Sequence, residues 1–330
     1  MTDTLIFIAQ FIIGLVFIVK GADWMTDGAA AIAKRYGIST LVIGMTIIAI
    51  GSSAPEFVVS TLAAIKGNTD MAIGNVVGSN IFNILTIMGV TALFVPVAAT
   101  NGNLRNDVPF AVLSSLAVLF AAYDGIFTPG ATSEISRQEG LLLLCLFAVF
   151  LSYTFAIAKK PAEGEEADAP KQNVVRSMSL TKSIIWVVGG LALLIFGGDW
   201  LVDGASGIAT KLGVSQAIIA LTIVSAGTSA PELAASVMAA RKGDTAMALG
   251  NIVGSVVFNV FFVLGTAATI HPLALGNITD GNIVALVGAS VLLWIFCRTH
   301  KTLVKWEGAF LLILQIVYFA YLIAKEQSLL

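Results

Sequence analysis

Charge is scarce in this sequence: of 330 residues only 12% are Asp, Glu, Lys or Arg, about half the share found in soluble globular chains. Hydrophobic residues make up 57% and the mean hydropathy is +0.93. That excess of apolar side chain excludes a water-soluble domain of this length. The net charge of −2 gives no field for nucleic acid or for a strongly acidic partner. Cysteine and histidine number two each. Cys145 and Cys297 lie in long apolar runs, where a thiol acts as a small hydrophobe and not as half of a disulfide framework. The first residues, Met-Thr-Asp-Thr, carry no basic segment before the first apolar run, so that run is expected to remain as a spanning helix.

Long apolar runs are plentiful. A stretch of about 20 residues crosses a bilayer as a helix. Spans are expected near residues 4–30, 38–65, 69–96, 107–124, 139–158, 182–208, 214–240, 245–270, 281–298 and 305–325. Between them the segment 159–181 is rich in Pro, Glu and Lys and reads as an aqueous linker. It separates a first five-helix unit, 1–158, from a second, 182–330. Lys and Arg sort unevenly over this layout. Lys34, Arg35, Arg105, Lys159, Lys160, Lys171, Arg176, Lys182, Arg241, Lys242, Arg298, Lys301 and Lys305 share one side, against Lys66, Arg137, Lys211 and Lys325 on the other. Since basic loops are retained in the cytoplasm, both termini are expected outside and the linker inside.

The decisive pattern is an internal repeat. Gly21, Asp23, Trp24, Asp27, Gly28 and Ala29 return 176 residues later as Gly197, Asp199, Trp200, Asp203, Gly204 and Ala205. The offset then holds without a gap as far as Ala92 and Ala268, with about half the positions identical. Each unit holds an odd number of spans, so the second copy enters the membrane upside down. The expected fold is an all-α integral membrane protein of about ten transmembrane helices, built as two inverted five-helix repeats.

Two repeated motifs carry the polar chemistry. Gly51-Ser52-Ser53-Ala54-Pro55-Glu56 matches Gly227-Thr228-Ser229-Ala230-Pro231-Glu232. A proline within a helix cannot donate to the carbonyl four residues back, so each helix should break here. Glu56 and Glu232 follow at once, and a carboxylate at membrane depth is costly without a partner. Two readings stand: cation ligation, or a capping box of Ser53 with Glu56 and of Ser229 with Glu232. In the second motif Asn75, Ser79 and Asn83 recur as Asn251, Ser255 and Asn259, each set on one helix face. These residues either line a site or glue helices together. Carboxylates, amides, hydroxyls and freed carbonyls make an all-oxygen environment of the kind hard cations take. No Cys or His joins it, which disfavours Zn²⁺ and Cu⁺. Asp23, Asp27, Asp199 and Asp203 either recruit cations or are solvated helix-end residues.

Taken together, G-[ST]-S-A-P-E and G-N-x-x-G-S-x-x-F-N, once per half and preceded by G-x-D-W-x-x-D-G-A, resemble the two alpha-repeats of the calcium/cation antiporter superfamily. The likeness is greatest to the bacterial branch of the sodium/calcium exchanger family related to potassium-dependent sodium/calcium exchangers. It implies ten helices in which the second, third, seventh and eighth spans enclose the ions while the long first and sixth slide across them. By position it implies ligands at Glu56 and Glu232, hydroxyls of Ser52, Thr228, Ser79 and Ser255, carbonyls of Ala49 and Ser225, and amides of Asn83 and Asn259. Several family members carry Asp where this chain has Asn259, which bears on potassium coupling. The function it implies is exchange of Ca²⁺ for Na⁺ across the cell (inner) membrane, with these ions as cargo and the bilayer as surroundings. Neither a cofactor nor an obligate protein partner is expected. Proton/calcium exchange, a passive cation channel and a membrane enzyme are the alternatives. Hydroxyls and carbonyls flanking each Glu suit sodium better than protons, a channel needs no twin broken helices, and the sequence shows no catalytic constellation.

Overall fold

Helix boundaries follow local chemistry closely. In a computed structural model, residues 2–100, 102–122, 134–158, 178–212, 225–275 and 280–329 are described. Helix α1 is Thr2–Tyr36, and a bent pair follows, α2 (Thr40–Ser52) and α3 (Ala54–Ile65), meeting at 49°. Next come α4 (Thr69–Phe94), α5 (Asn103–Ala122) and α6 (Arg137–Ile157). The second half contributes α7 (Leu180–Lys211), the short α8 (Ser225–Thr228), α9 (Ala230–Arg241) and α10 (Thr245–Ile270). Helices α11 (Asp280–Thr299) and α12 (Lys305–Leu329) complete it.

Eight of the described helices are long and apolar enough to cross a membrane, and the α2–α3 pair makes a ninth candidate. The chain is an all-α membrane protein. The expected span 214–240 falls partly on residues 213–224, outside the described residues, and its remainder is α8 and α9. The expected linker, 159–181, likewise lies outside them up to residue 177.

Caps repeat at the 176-residue offset. Asn68 accepts from the Met71 N–H to start α4, and Asp244 accepts from the Met247 N–H to start α10. Just before each cap, Gly67 (φ +72°) and Gly243 (φ +86°) turn the chain through the left-handed region that glycine alone enters freely. Ser136 and Glu139 form a reciprocal capping box at α6. Two short antiparallel ladders tie the halves together: β1 (Val97–Ala98) with β4 (Thr302–Leu303), and β2 (Glu134–Ile135) with β3 (Leu273–Ala274).

Burial separates the helices into layers. Helices α4 and α10 form the buried centre, where Ile73, Val76, Ile81, Val253, Val256 and Phe261 are at most 1% exposed. Outer helices present apolar faces instead, among them Leu5, Ile12 and Val16 of α1, Ile185 and Val188 of α7, and Ile313 and Ile316 of α12. Such a coat is stable only in lipid.

Helices α1 and α7 pack along a glycine seam. Gly14, Gly21 and Gly28 repeat every seven residues, as do their counterparts Gly190, Gly197 and Gly204. A methyl added at Gly21 would meet the Gly190 carbonyl oxygen at 2.6 Å, and one at Gly28 the Ser183 oxygen at 2.7 Å. At Gly14 it would meet Leu201 N at 2.6 Å. Partner numbers fall as the α1 numbers rise, so these equivalent helices run antiparallel with their backbones in contact.

Candidate ion site at two broken helices

The break at Ser53 (φ −83°, ψ 10°) is matched at Ser229 (φ −92°, ψ 8°), each followed within two residues by Pro55 or Pro231. Glu56 and Glu232 then sit in the first turns of α3 and α9, each 1% exposed. They belong to two breaks that meet, since Ser53 at the first contacts Glu232 at the second.

Neither serine closes a capping box, since neither side chain makes a cap hydrogen bond. Ser53 Oγ reaches across to the other half and donates to Glu232 Oε1 at 2.8 Å. The hydroxyl of Ser229 has no hydrogen-bond partner, and neither do both oxygens of Glu56 and Oε2 of Glu232.

The second motif divides by role. Asn75 Nδ2 donates to the Glu56 carbonyl (3.2 Å) and to Ser60 Oγ (2.9 Å). Its counterpart Asn251 donates to the Glu232 carbonyl (3.3 Å) and Ser236 Oγ (2.8 Å), and accepts from Ser52 Oγ at 3.5 Å. These two asparagines therefore clamp α3 to α4 and α9 to α10, as interhelical glue would.

About two turns further along, π-helical turns begin at Asn83 in α4 and around Asn259 in α10. Such turns recur at functional sites because they redirect side chains and loosen the hydrogen-bond ladder. Asn83 and Asn259 are 1% and 0% exposed, with Ser79 (4%) and Ser255 (0%) a turn before them. Both amide atoms of Asn83, Oδ1 of Asn259 and Oγ of Ser255 lack hydrogen-bond partners. Of the remaining expected ligands, Ser52 is buried and Thr228 partly buried. Ala49 O already accepts from Ser53 N at 3.0 Å and from Ser52 Oγ at 3.4 Å. Ser225 opens α8.

Eight of the fourteen unpartnered buried polar atoms among the described residues thus belong to Glu56, Asn83, Ser229, Glu232, Ser255 and Asn259. Buried polar atoms are normally satisfied, so this concentration marks a place built for something else to complete. Seven of the eight are oxygens. No three His, Cys, Asp or Glu side chains gather at any one point among the described residues.

The acidic pairs flanking the site behave differently in the two halves. Lys242, just after α9, reaches Asp23 Oδ1 (2.8 Å) and Asp27 Oδ1 (2.7 Å), and also donates to the Asp23 carbonyl and Thr26 Oγ1 at 2.8 Å each. Its repeat counterpart Lys66 is exposed, as are Asp199 and Asp203, and no ion pair joins them among the described residues. Sequence reasoning took Ser53 and Ser229 only as caps and passed over Asn80 and Lys242. A lysine at the 176-residue offset from another, opposite paired aspartates at the same offset, was the available signal.

Twin helix breaks carrying carboxylates inside an all-α membrane protein define the class as a polytopic transport protein. The family model described as sodium/calcium exchanger protein matches twice, over residues 6–156 and 182–324. The chain belongs to that family. It is 32% identical over 342 residues to sodium/calcium exchanger MaX1 of Methanosarcina acetivorans, covering 94% of this chain and 96% of that one. It is 35% identical over 270 residues to inner membrane protein YrbG of Escherichia coli, covering 80% of each. The solved structure of the sodium-calcium exchanger NCX_Mj soaked with zero Na⁺ and Ca²⁺ superposes with a TM-score of 0.80 at 29% identity, covering 97% of this chain and 99% of that one.

Proposed function

We propose that the chain is a secondary antiporter that exchanges Ca²⁺ for Na⁺ by alternating access, binding the ions between the two broken helices. The observation that carries this is the concentration of unpartnered buried oxygens on equivalent residues of the two halves, Glu56 with Glu232 and Asn83 with Asn259, at breaks joined by the Ser53–Glu232 hydrogen bond. Two carboxylates give −2, which one Ca²⁺ or two Na⁺ neutralises, and a Ca²⁺ ion takes six to eight oxygens. Asn83, Asn259, Ser79, Ser255, Ser52 and Thr228 are the further side-chain ligands, with backbone carbonyls of Ala49 and Ser225. The Ala49 carbonyl would have to use a lone pair its helix bonds leave free.

The halves 1–158 and 182–330 are inverted repeats joined by the cytoplasmic linker 159–181; the span expected near 214–240 is the tenth, and both termini lie outside the cell (inner) membrane. The antiparallel run of α1 and α7 supports that inversion. Helices α1 and α7 move across the ion site to expose it alternately. Three Na⁺ exchange for each Ca²⁺, because the broken helices offer dipoles and carbonyls to disperse the extra charge. Exchange therefore responds to voltage, and with Asn at 259 it gains little from K⁺.

Calcium uptake into proteoliposomes, with Na⁺, K⁺ or H⁺ gradients imposed singly at clamped potentials, tests the proposal. Uptake should follow the Na⁺ gradient and the potential, and Glu56→Gln or Glu232→Gln should abolish it while insertion is normal. Uptake driven by H⁺ alone would make the protein a proton antiporter, and uptake retained by either Gln variant would displace the site.

A further inference from the structure

The motif that places Asn83 and Asn259 at equivalent positions makes them look interchangeable, yet the residue three places before each differs in hydrogen-bonding capacity. Asn80 in the first half is answered by Val256 in the second. Both are fully buried. They also touch, for Asn80 Nδ2 donates to the Val256 carbonyl at 3.1 Å.

That contact dictates the orientation of two amides. A backbone carbonyl only accepts, so Asn80 must turn its N–H group to Val256, which leaves its Oδ1 facing Asn259. An oxygen can be answered only by a donor, and Asn259 Nδ2 supplies it at 3.0 Å. The Asn259 Oδ1 is thereby turned the other way, into buried space where it has no partner. In the mirror position Val256 offers no acceptor, and neither amide atom of Asn83 has a partner.

We propose that Asn80 is a positioning residue that fixes the polarity of the Asn259 amide, so that one half of the site always presents an oxygen while the amide of Asn83 is free to turn. This rests on the ion site proposed above. Asn259 then contributes the same ligand to every cation without reorientation, and Asn83 is the adjustable member. The lock also selects against an ionised Asp at position 259. Such a carboxylate has no proton to give Asn80 Oδ1, and Asn80 cannot turn without setting its own oxygen against the Val256 carbonyl.

Asn80→Val, which copies the second half, removes the lock with little change of volume. Partners that orient a ligand typically cost 10- to 100-fold in metal affinity when removed. The half-saturating Ca²⁺ concentration for exchange should therefore rise about tenfold or more while the maximal rate stays near wild type, and the thermal unfolding midpoint in chelator should fall by a few degrees, because the Val256 carbonyl and Asn259 Nδ2 lose their partners. A lowered unfolding midpoint with unchanged half-saturation would reduce Asn80 to a packing role and overturn the proposal. Asn80→Thr provides a second readout that stands in if the valine variant fails to fold: it has nearly the shape of valine but keeps a hydroxyl that can accept from Asn259 Nδ2. Its half-saturation should lie between wild type and the valine variant, or above wild type where only threonine folds, and a threonine variant equal to wild type in half-saturation but lowered in unfolding midpoint would also overturn the proposal. If Glu56→Gln and Glu232→Gln are inactive while both Asn80 variants match wild type, the ion site stands and only the polarity lock falls.

Discussion

Replacing Ser53 and Ser229 separately by Ala asks whether these serines act within their own helices or between the halves. Ser53 Oγ donates to Glu232 Oε1 at 2.8 Å, with both residues at most 1% exposed. A hydrogen bond to a charged group contributes about 1.5–3 kcal/mol, and its loss here takes from a buried carboxylate oxygen the donor at 2.8 Å. Ser229 Oγ stands beside Glu56 without closing a hydrogen bond, so its removal should cost less, about 0.5 kcal/mol. The expected gap between the variants is thus about 1–2.5 kcal/mol, a few degrees in unfolding midpoint for a chain of this size. Two local capping boxes would instead cost about 1 kcal/mol each, and equally. Thermal unfolding of the purified protein, in chelator and in Ca²⁺, measures the difference. Ca²⁺ should narrow the gap, because a bound cation gives Glu232 the partner that Ser53→Ala withdrew. Equal shifts for the two variants, or none for Ser53→Ala, would refute the cross-half contact.

Two further outcomes are expected. Lys242→Met frees α1 from α9, and since Lys242 and Asp23 are 28% and 40% exposed the stability cost should stay within about 1 kcal/mol. The same energy biases the two access states severalfold, so the ratio of half-saturating Ca²⁺ measured from the two membrane faces should shift, and an unchanged ratio would show that the contact sets no preference. Reporter fusions should place both termini outside and the 159–181 linker inside, and a cytoplasmic C-terminus would end the inverted-repeat reading.

What was legible in the sequence was whatever recurs or obeys a local rule. Apolar length gave the eight long spans and the bent α2–α3 pair among the described residues, and the offset of 176 residues gave the paired proline breaks with Glu56 and Glu232 beside them. The bend between α2 and α3 follows from Pro55 and its neighbours. What was not legible depends on which residue lies opposite across the protein. Ser53 and Glu56 have the spacing of a cap, and only the packing of the halves shows that the acceptor of Ser53 is Glu232. Asn75 and Asn83 lie on one helix face and look alike, yet Asn75 is consumed by Glu56 O and Ser60 while Asn83 is left unpartnered. Asn80 hides for the opposite reason: it is where the repeat fails, and a search for matching positions passes over a mismatch.

The glycine seam between α1 and α7 has a mechanical consequence. Each glycine is a notch that receives the backbone of the other helix, with notches every seven residues on both, about 10 Å apart along a helix axis. Slippage of one helix along the other by less than that spacing would drive side chains into backbone, so the pair is held in register and, under the proposed alternation, would move as one yoke. In the proposed alternation, a yoke that crosses the core could not cover one face of the site without uncovering the other. The reciprocity of the two openings would then follow from steric linkage, with no message passing through the bound ions.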